Sequence, residues 1–383
     1  MTIASKLPDV GTTIFATMSR RARELGALNL GQGFPDYDID PRLTELVTEA
    51  MREGRNQYAP FEGIPELREQ IALKVNRSYG IDVDPQSQVT VTLGATEALF
   101  SAIQAVVGPQ DEAIVFDPSY DSYDPAIRLA GGDCIHLPLS PPDFRWDWDR
   151  VRASITPRTR LIVFNTPNNP ACTAASAADL DALASLVRER DIWVLSDEVY
   201  EHVVFDGRAH ASVLTHPGLR ARSFAVFSFG KTLHATGIRV GYCIAPAALT
   251  QELRKVHQFN TFSIAHPLQY AIARHLIEKP DAARSLAGFF QAKRDRLRAA
   301  LADTAFVLPP AQGTYFQLLD FSRVAPPGDV AFAERLLTEV GLATIPLTPF
   351  YKEPPPLSVL RLCIAKRDET LDDAAARLRV FKP

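Results

Sequence analysis

Lys231 stands in the run Ser228-Phe229-Gly230-Lys231-Thr232, directly after the apolar stretch Phe224-Ala225-Val226-Phe227. A lysine at the mouth of a buried parallel strand lies where α/β proteins place their ligands. Desolvation there would lower the pKa of its amine and let it form a Schiff base with an aldehyde; the alternative is a solvated loop lysine. Ser228 and Arg239 flank it, and a hydroxyl with a planar guanidinium suits a phosphate held beside such a base. Arg239 could equally close an ion pair at a strand end. Gly94-Ala95-Thr96-Glu97 offers small residues at a strand-to-helix turn, where free N–H groups and the positive end of the helix dipole would favour an anion. The same run also reads as an ordinary turn with Thr96 as N-cap.

Asp197, in Ser196-Asp197-Glu198-Val199-Tyr200, would aim a carboxylate into the crevice at the carboxyl ends of the strands, or else cap a following helix. Asn165-Thr166-Pro167-Asn168-Asn169-Pro170 combines restricted prolines with amide donors, and its composition also fits a plain turn. Arg361 interrupts the apolar run Val359-Leu360-Arg361-Leu362-Cys363-Ile364. A buried guanidinium needs an anionic partner, either a bound carboxylate gripped by both arms of its fork or a carboxylate of the chain itself.

These side chains need a frame. Short apolar runs at 89–93, 113–116, 161–164, 192–195, 224–227 and 239–245 alternate with helical stretches, one from about 96 and one at 176–188. Strands this apolar, separated by helices, predict a largely parallel sheet covered on both faces. From 251 the pattern changes to long helices up to about 301. Short strands at 314–319 and 359–364 follow, with helices near 330–340 and 370–378 and an irregular Pro-rich loop at 346–356. The expected architecture is α/β, with a large domain over 46–276 and a smaller α+β domain built from 1–45 and 277–383.

The 383 residues carry a formal net charge of -4, which gives no electrostatic reason to expect nucleic acid or an anionic membrane as partner. Cys134, Cys172, Cys243 and Cys363 form no CxxC pair, so no metal and no redox dithiol is expected, and a reducing compartment fits. Met1-Thr2-Ile3-Ala4-Ser5-Lys6 leads at once into Pro8 and Asp9 without an apolar core, so a secretory signal is not expected. A cytoplasmic location, with no bilayer span, is the resulting expectation.

With these residues goes a wider set: Asn29-Leu30-Gly31-Gln32-Gly33-Phe34-Pro35-Asp36, Gln57-Tyr58, Asp117-Pro118-Ser119-Tyr120-Asp121-Ser122-Tyr123, Gly241-Tyr242 and Gln312-Gly313-Thr314-Tyr315-Phe316. In this order, over nearly the whole chain, they resemble the class I/II aminotransferases of pyridoxal 5'-phosphate (PLP) fold type I, most like their methionine and kynurenine aminotransferase branch. The resemblance implies that Lys231 is the Schiff-base lysine and proton shuttle. It implies that Asp197 pairs with the pyridine nitrogen, that Asn169 and Tyr200 contact the ring oxygen, and that Tyr120 stacks on the ring. Ala95, Thr96, Ser228 and Arg239 would hold the phosphate. Tyr58 would reach the cofactor phosphate of a second subunit, giving a homodimer with shared sites. Arg361 would clamp the substrate carboxylate, with Gly33, Asn169 and Phe15 beside it.

Two stretches depart from the pattern. Pro170 is followed by Ala171-Cys172-Thr173, so the turn must close without the usual glycine, and Phe262-Ser263-Ile264-Ala265-His266 lacks the aromatic-then-His pair associated with animal kynurenine aminotransferases. Ile14, Phe15, Tyr123 and Ile264 are candidate pocket residues whose apolar or aromatic character favours methionine, phenylalanine, leucine or kynurenine over aspartate as donor to a 2-oxo acid. A kynurenine/glutamine-type transaminase with cysteine-conjugate β-lyase activity is the alternative, because one cofactor chemistry serves both. A dinucleotide-binding oxidoreductase is excluded: Asp36 stands where the third glycine of GxGxxG would fall. About thirty residues before Gly31 are too few for a helix-turn-helix, and no basic patch suggests a DNA-binding regulator.

Overall fold

Continuous runs of Val, Ile, Leu and Phe can be strands only where both faces are covered, and the computed structural model, which describes residues 4–382, buries them in that way. Twelve strands are named in chain order. β1 is Leu28–Asn29, β2 Val89–Thr92, β3 Glu112–Asp117, β4 Asp133–Pro138, β5 Thr159–Asn165 and β6 Trp193–Asp197. β7 is Ser223–Ser228, β8 Gly241–Ile244, β9 Phe316–Asp320, β10 Leu342–Ala343, β11 Ile345–Pro346 and β12 Val359–Cys363. The main sheet has the order β2-β8-β7-β6-β5-β3-β4. Its strands run parallel except β8, which lies antiparallel between β2 and β7.

The sequence reading missed β4. Its residues Asp-Cys-Ile-His-Leu-Pro are mostly half-buried because it forms the sheet edge, so it lacks the apolar run that marks its neighbours. Two boundaries also move. The helix expected from about 96 starts at Gly94, so Thr96 lies inside its first turn and is not the N-cap. The strand expected at 239–245 is β8 alone; Arg239 precedes it in the left-handed region, at φ 52°, after the short turn Thr236–Ile238. The return from β7 is spent on the one-turn helix Phe229–Thr232 and this turn and carries no crossover helix, in keeping with the antiparallel pairing of β8.

The second sheet, β11-β12-β9, is antiparallel, and it sets Arg361 of β12 opposite Leu318 on one side and Ile345 on the other. β1 pairs with β10 in parallel, tying the N-terminal segment to the C-terminal elements. The Pro-rich stretch is less irregular than expected: it opens with β11 and a 3-10 turn, Thr348–Phe350. The buried Asp329 carboxylate pins that turn, accepting from the backbone N–H of Leu347 and Thr348 at 2.6 and 2.8 Å. Residues 1–3 and 383, at the ends of the segments expected to build the smaller domain, lie outside the described residues. Among the described residues no helix is long and apolar enough to cross a membrane.

β8 meets the start of the helix Gly94–Val106 at Gly241. A Cβ there would stand 2.7 Å from the Gly94 carbonyl carbon and from the Phe227 carbonyl oxygen, and 2.8 Å from the Ala95 nitrogen. All three are backbone atoms that cannot swing aside. Gly241→Ala is therefore expected to cost about 1–3 kcal/mol through overpacking, read as a lower urea midpoint. An unchanged midpoint would mean that strand and helix separate freely.

Candidate active site

Three neighbouring parallel strands end in polar side chains: Asn165 on β5, Asp197 on β6 and Ser228 on β7. The register pairs Asn165 with Asp197 and Asp197 with Val226, so their ends lie side by side at the carboxyl edge of the sheet. They face a cavity of about 130 Å³. Its lining also includes Ala95, Thr96, Tyr120, Asn169, Tyr200, Lys231 and Arg239. Candidates that lie between residues 95 and 239 of the sequence are thus brought by the fold to one place.

Asp197 is 4% exposed and is followed by a turn, not by a helix that it could cap. Burial pushes its carboxyl up to about 6, against two opposing bonds. Tyr123 donates its hydroxyl to Oδ2 at 2.7 Å, and the Val199 N–H donates to Oδ1 at 3.3 Å. Asn165 Nδ2 donates to the Asp197 carbonyl at 2.9 Å, and Asn165 Oδ1 accepts the Asn169 N–H at 2.9 Å, locking the two loops together. Such an acid, fixed on one side and open on the other, is suited to a protonated ring nitrogen.

Lys231 occupies the one-turn helix Phe229–Thr232 that follows β7. Burial lowers its amine to about 8, and the guanidiniums of Arg361 and Arg239 add to the effect. Nζ donates to the Tyr315 hydroxyl at 2.6 Å, and that hydroxyl donates to the Gly33 carbonyl at 2.6 Å. Tyr200, also buried, packs edge-on against Tyr315 with ring centroids 5.0 Å apart. An amine brought this near neutrality can add to an aldehyde.

At the other end of the cavity lies an anion cradle. The first turn of the helix Gly94–Val106 supplies free backbone N–H groups, Thr96 and Ser228 supply hydroxyls, and Arg239 supplies a cation. Gly94 has a φ of +69°, and a Cβ on it would come within 2.8 Å of Arg239 Nη2, so the guanidinium lies flush against the turn. Arg239 makes no ion pair among the described residues; it donates only to the Thr236 carbonyl, at 3.1 Å. Acid, amine and cradle, in that arrangement, fit the ring nitrogen, aldehyde and phosphate of PLP.

Arg361 is 1% exposed. Its Nη1 donates to Asn169 Oδ1 and its Nη2 to the Gly31 carbonyl at 2.9 Å, while its Nε has no partner among the described residues. The guanidinium lies 3.8 Å from the Phe316 ring centroid and 5.0 Å from that of Phe15. No carboxylate pairs with it among the described residues, which removes the internal salt bridge left open by the sequence. Gly33 touches the same group of rings: a Cβ there would meet Phe316 Cζ at 2.6 Å.

Other expectations shift. Neither Tyr123 nor Ile264 lines that cavity. Tyr123 is buried with its hydroxyl on Asp197, and Ile264 is buried in the core. Tyr58 stands outside the cavity, 82% exposed, with its ring edge-on to Phe262 at 5.3 Å. The turn without its glycine closes by putting Cys172 into the left-handed region at φ 62°, secured by its N–H to the Asn168 carbonyl at 2.9 Å. Tyr315 was missed as a functional residue although its run was noted, because nothing in the sequence shows that its hydroxyl meets Lys231.

Comparison with known proteins extends these observations over the whole chain. The family model "Aminotransferase class I and II" matches residues 26–378. The chain is 50% identical to the methionine aminotransferase of Escherichia coli (strain K12), covering 98% of this chain and 97% of that protein. It is 31% identical to kynurenine–oxoglutarate transaminase 1 of Rattus norvegicus, over 99% and 98%. The crystal structure of Escherichia coli YbdL, described as having a methionine aminotransferase function, superposes with a TM-score of 0.98 at 49% identity, each chain covered in full. The architecture is PLP fold type I, and the chain belongs to the class I and II aminotransferases, enzymes that work with pyridoxal 5'-phosphate.

Proposed function

We propose that this enzyme moves the amino group of a hydrophobic L-amino acid, methionine foremost, to a 2-oxo acid. The observation that carries the reading is Arg361: a buried cation with no carboxylate partner among the described residues, joined through Asn169 to the cavity that holds Lys231 and Asp197. A charge in that position calls for a bound anion, and every amino acid and 2-oxo acid carries a carboxylate. The aromatic rings of Phe15 and Phe316 against the guanidinium favour an apolar substrate over a second charged group. The half-identical methionine aminotransferase supports methionine as donor.

Bound PLP supplies an aldehyde that takes up the amino group and a protonated ring that accepts electrons from Cα. The chain's own residues do the rest. Arg361 holds the substrate carboxylate by its fork. Asn169 Oδ1 accepts from Arg361, which leaves Nδ2 free to donate; Asn169 and Tyr200 would contact the ring oxygen. Asp197, kept in line by Tyr123, would pair with the ring nitrogen and favour its proton. Lys231 Nζ, held by the Tyr315 hydroxyl, would take the proton from Cα onto its own neutral amine and carry it to the cofactor's aldehyde carbon. Ala95, Thr96, Ser228 and Arg239 would hold the phosphate, and Tyr120 would stack on the ring.

The same reading includes a homodimer, a large domain over 46–276, a small one from 1–45 and 277–383, and a cytoplasmic location. The exposed rings of Tyr58 and Phe262 support the dimer, in which Tyr58 reaches the partner's cofactor phosphate. The four free cysteines support a reducing compartment.

Borohydride reduction of the holoenzyme followed by peptide mapping is expected to find the pyridoxyl group on Lys231; a label on another lysine overturns the assignment. In single half-reactions over a panel of donors, methionine is expected to react faster than aspartate, kynurenine or glutamine. A preference for kynurenine or glutamine, with breakdown of a cysteine S-conjugate, favours the alternative transaminase with β-lyase activity. Arg361→Lys keeps the charge but loses the fork. It is expected to lower kcat/KM by roughly tenfold to hundredfold, equally for methionine and phenylalanine, since a charged hydrogen bond contributes about 1.5–3 kcal/mol. A purely structural role would lower thermal stability and leave kcat/KM per folded enzyme unchanged.

A further inference from the structure

On one face of the edge strand β4, two of its side chains meet one from the helix Tyr123–Leu129. Cys134 and His136 are two residues apart, so they project from the same face of the strand. Asp124 lies in the first turn of the helix. One ligand atom from each of the three lies within 4.8 Å of the others. His136 Nε2 is enclosed, makes no hydrogen bond among the described residues, and stands 3.5 Å from Asp124 Oδ1.

We propose that Asp124, Cys134 and His136 form a zinc site with water in the fourth position. A thiol, an imidazole and a carboxylate are a zinc set, whereas magnesium and calcium take oxygen alone. Bond lengths of about 2.0–2.3 Å put tetrahedral ligands roughly 3.3–3.7 Å apart, and the His136–Asp124 separation already matches. The ligands are also oriented from behind. His136 Nδ1 meets the Asp117 carboxylate at 2.9 Å, leaving Nε2 for the metal. Arg128 donates to Asp124 Oδ2 at 3.2 Å, leaving Oδ1. Supporting contacts of this kind are a hallmark of protein zinc sites. Zinc with one thiolate and one carboxylate has no net charge, which suits a half-buried position; the thiol gives its proton to solvent on binding.

The site is a clip and takes no part in the chemistry. Asp124 follows Tyr123, whose hydroxyl bonds Asp197, so a metal on Asp124 fixes the helix end that presents Tyr123 to the cavity. The competing arrangement is a metal-free His136 shared between Asp117 and Asp124.

The test uses untagged holoenzyme stripped with a chelator, desalted, reloaded with zinc chloride and passed through gel filtration. Elemental analysis is expected to find one zinc per chain, and zinc is expected to raise the unfolding temperature. Cys134→Ser and His136→Gln, checked for folding by circular dichroism, are each expected to weaken zinc at least tenfold to roughly a hundredfold in competition with a chromophoric chelator. If His136→Gln fails to fold, Cys134→Ser alone decides. Substoichiometric zinc on the wild-type chain, or unchanged affinity in the folded variants, overturns the proposal. None of these readings depends on which amino acid the enzyme uses.

Discussion

Asn165, Asp197 and Ser228 owe their spacing to hydrogen-bonded register, since each closes one of three adjacent parallel strands. Neighbouring strands lie about 4.8 Å apart, so side chains on successive strand ends span the width of a small planar ring without any loop having to be placed. The loops that follow then add what the strand ends lack: the amine of Lys231, the amides of the 165–170 turn and the hydroxyl of Tyr200. They are tied down locally, Asn165 holding both the Asp197 carbonyl and the Asn169 N–H. A one-residue slip between β5 and β6 would turn Asp197 to the opposite face of the sheet.

On this rigid edge the ionisable groups are tuned by burial. Burial raises Asp197 to about 6 and lowers Lys231 to about 8, moving each toward its uncharged form. Arg361 is handled differently: it cannot lose its proton, so the fold gives it neutral acceptors on Asn169 and Gly31 and the faces of Phe15 and Phe316. Its position is thus set by the chain itself, and an anion bound there would meet a guanidinium already ordered.

What could be read from the sequence follows the range of the physics involved. β3, β5, β6 and β7 were legible because continuous apolar runs report burial on two faces. β4 was not, because an edge strand with Asp133 and His136 carries no such run. Lys231, Asp197, Arg239 and Arg361 stood out because their type conflicts with their surroundings. Their partners were hidden, since Asn169 is 192 residues from Arg361 and Tyr315 is 84 from Lys231. The direction of a side chain was hidden as well. Tyr123 looked like a pocket wall and instead spends its hydroxyl on Asp197, and the missing glycine after Pro170 gave no hint that Cys172 would adopt the left-handed conformation in its place.

The pairing of β2 with β8 also fixes an order of events as the chain folds. β2 has no other neighbour in the sheet, yet its partner comes about 150 residues later, at Gly241–Ile244. The helix beginning at Gly94 and the guanidinium of Arg239 therefore meet only after most of the sheet has been synthesised and aligned. Contacts between residues so distant in the chain close late, because the entropy of the intervening loop must be lost first. A nascent chain on the ribosome accordingly has no complete anion cradle until β8 has emerged, so the cradle is finished late and spans the strands that come first and last along the chain in this sheet.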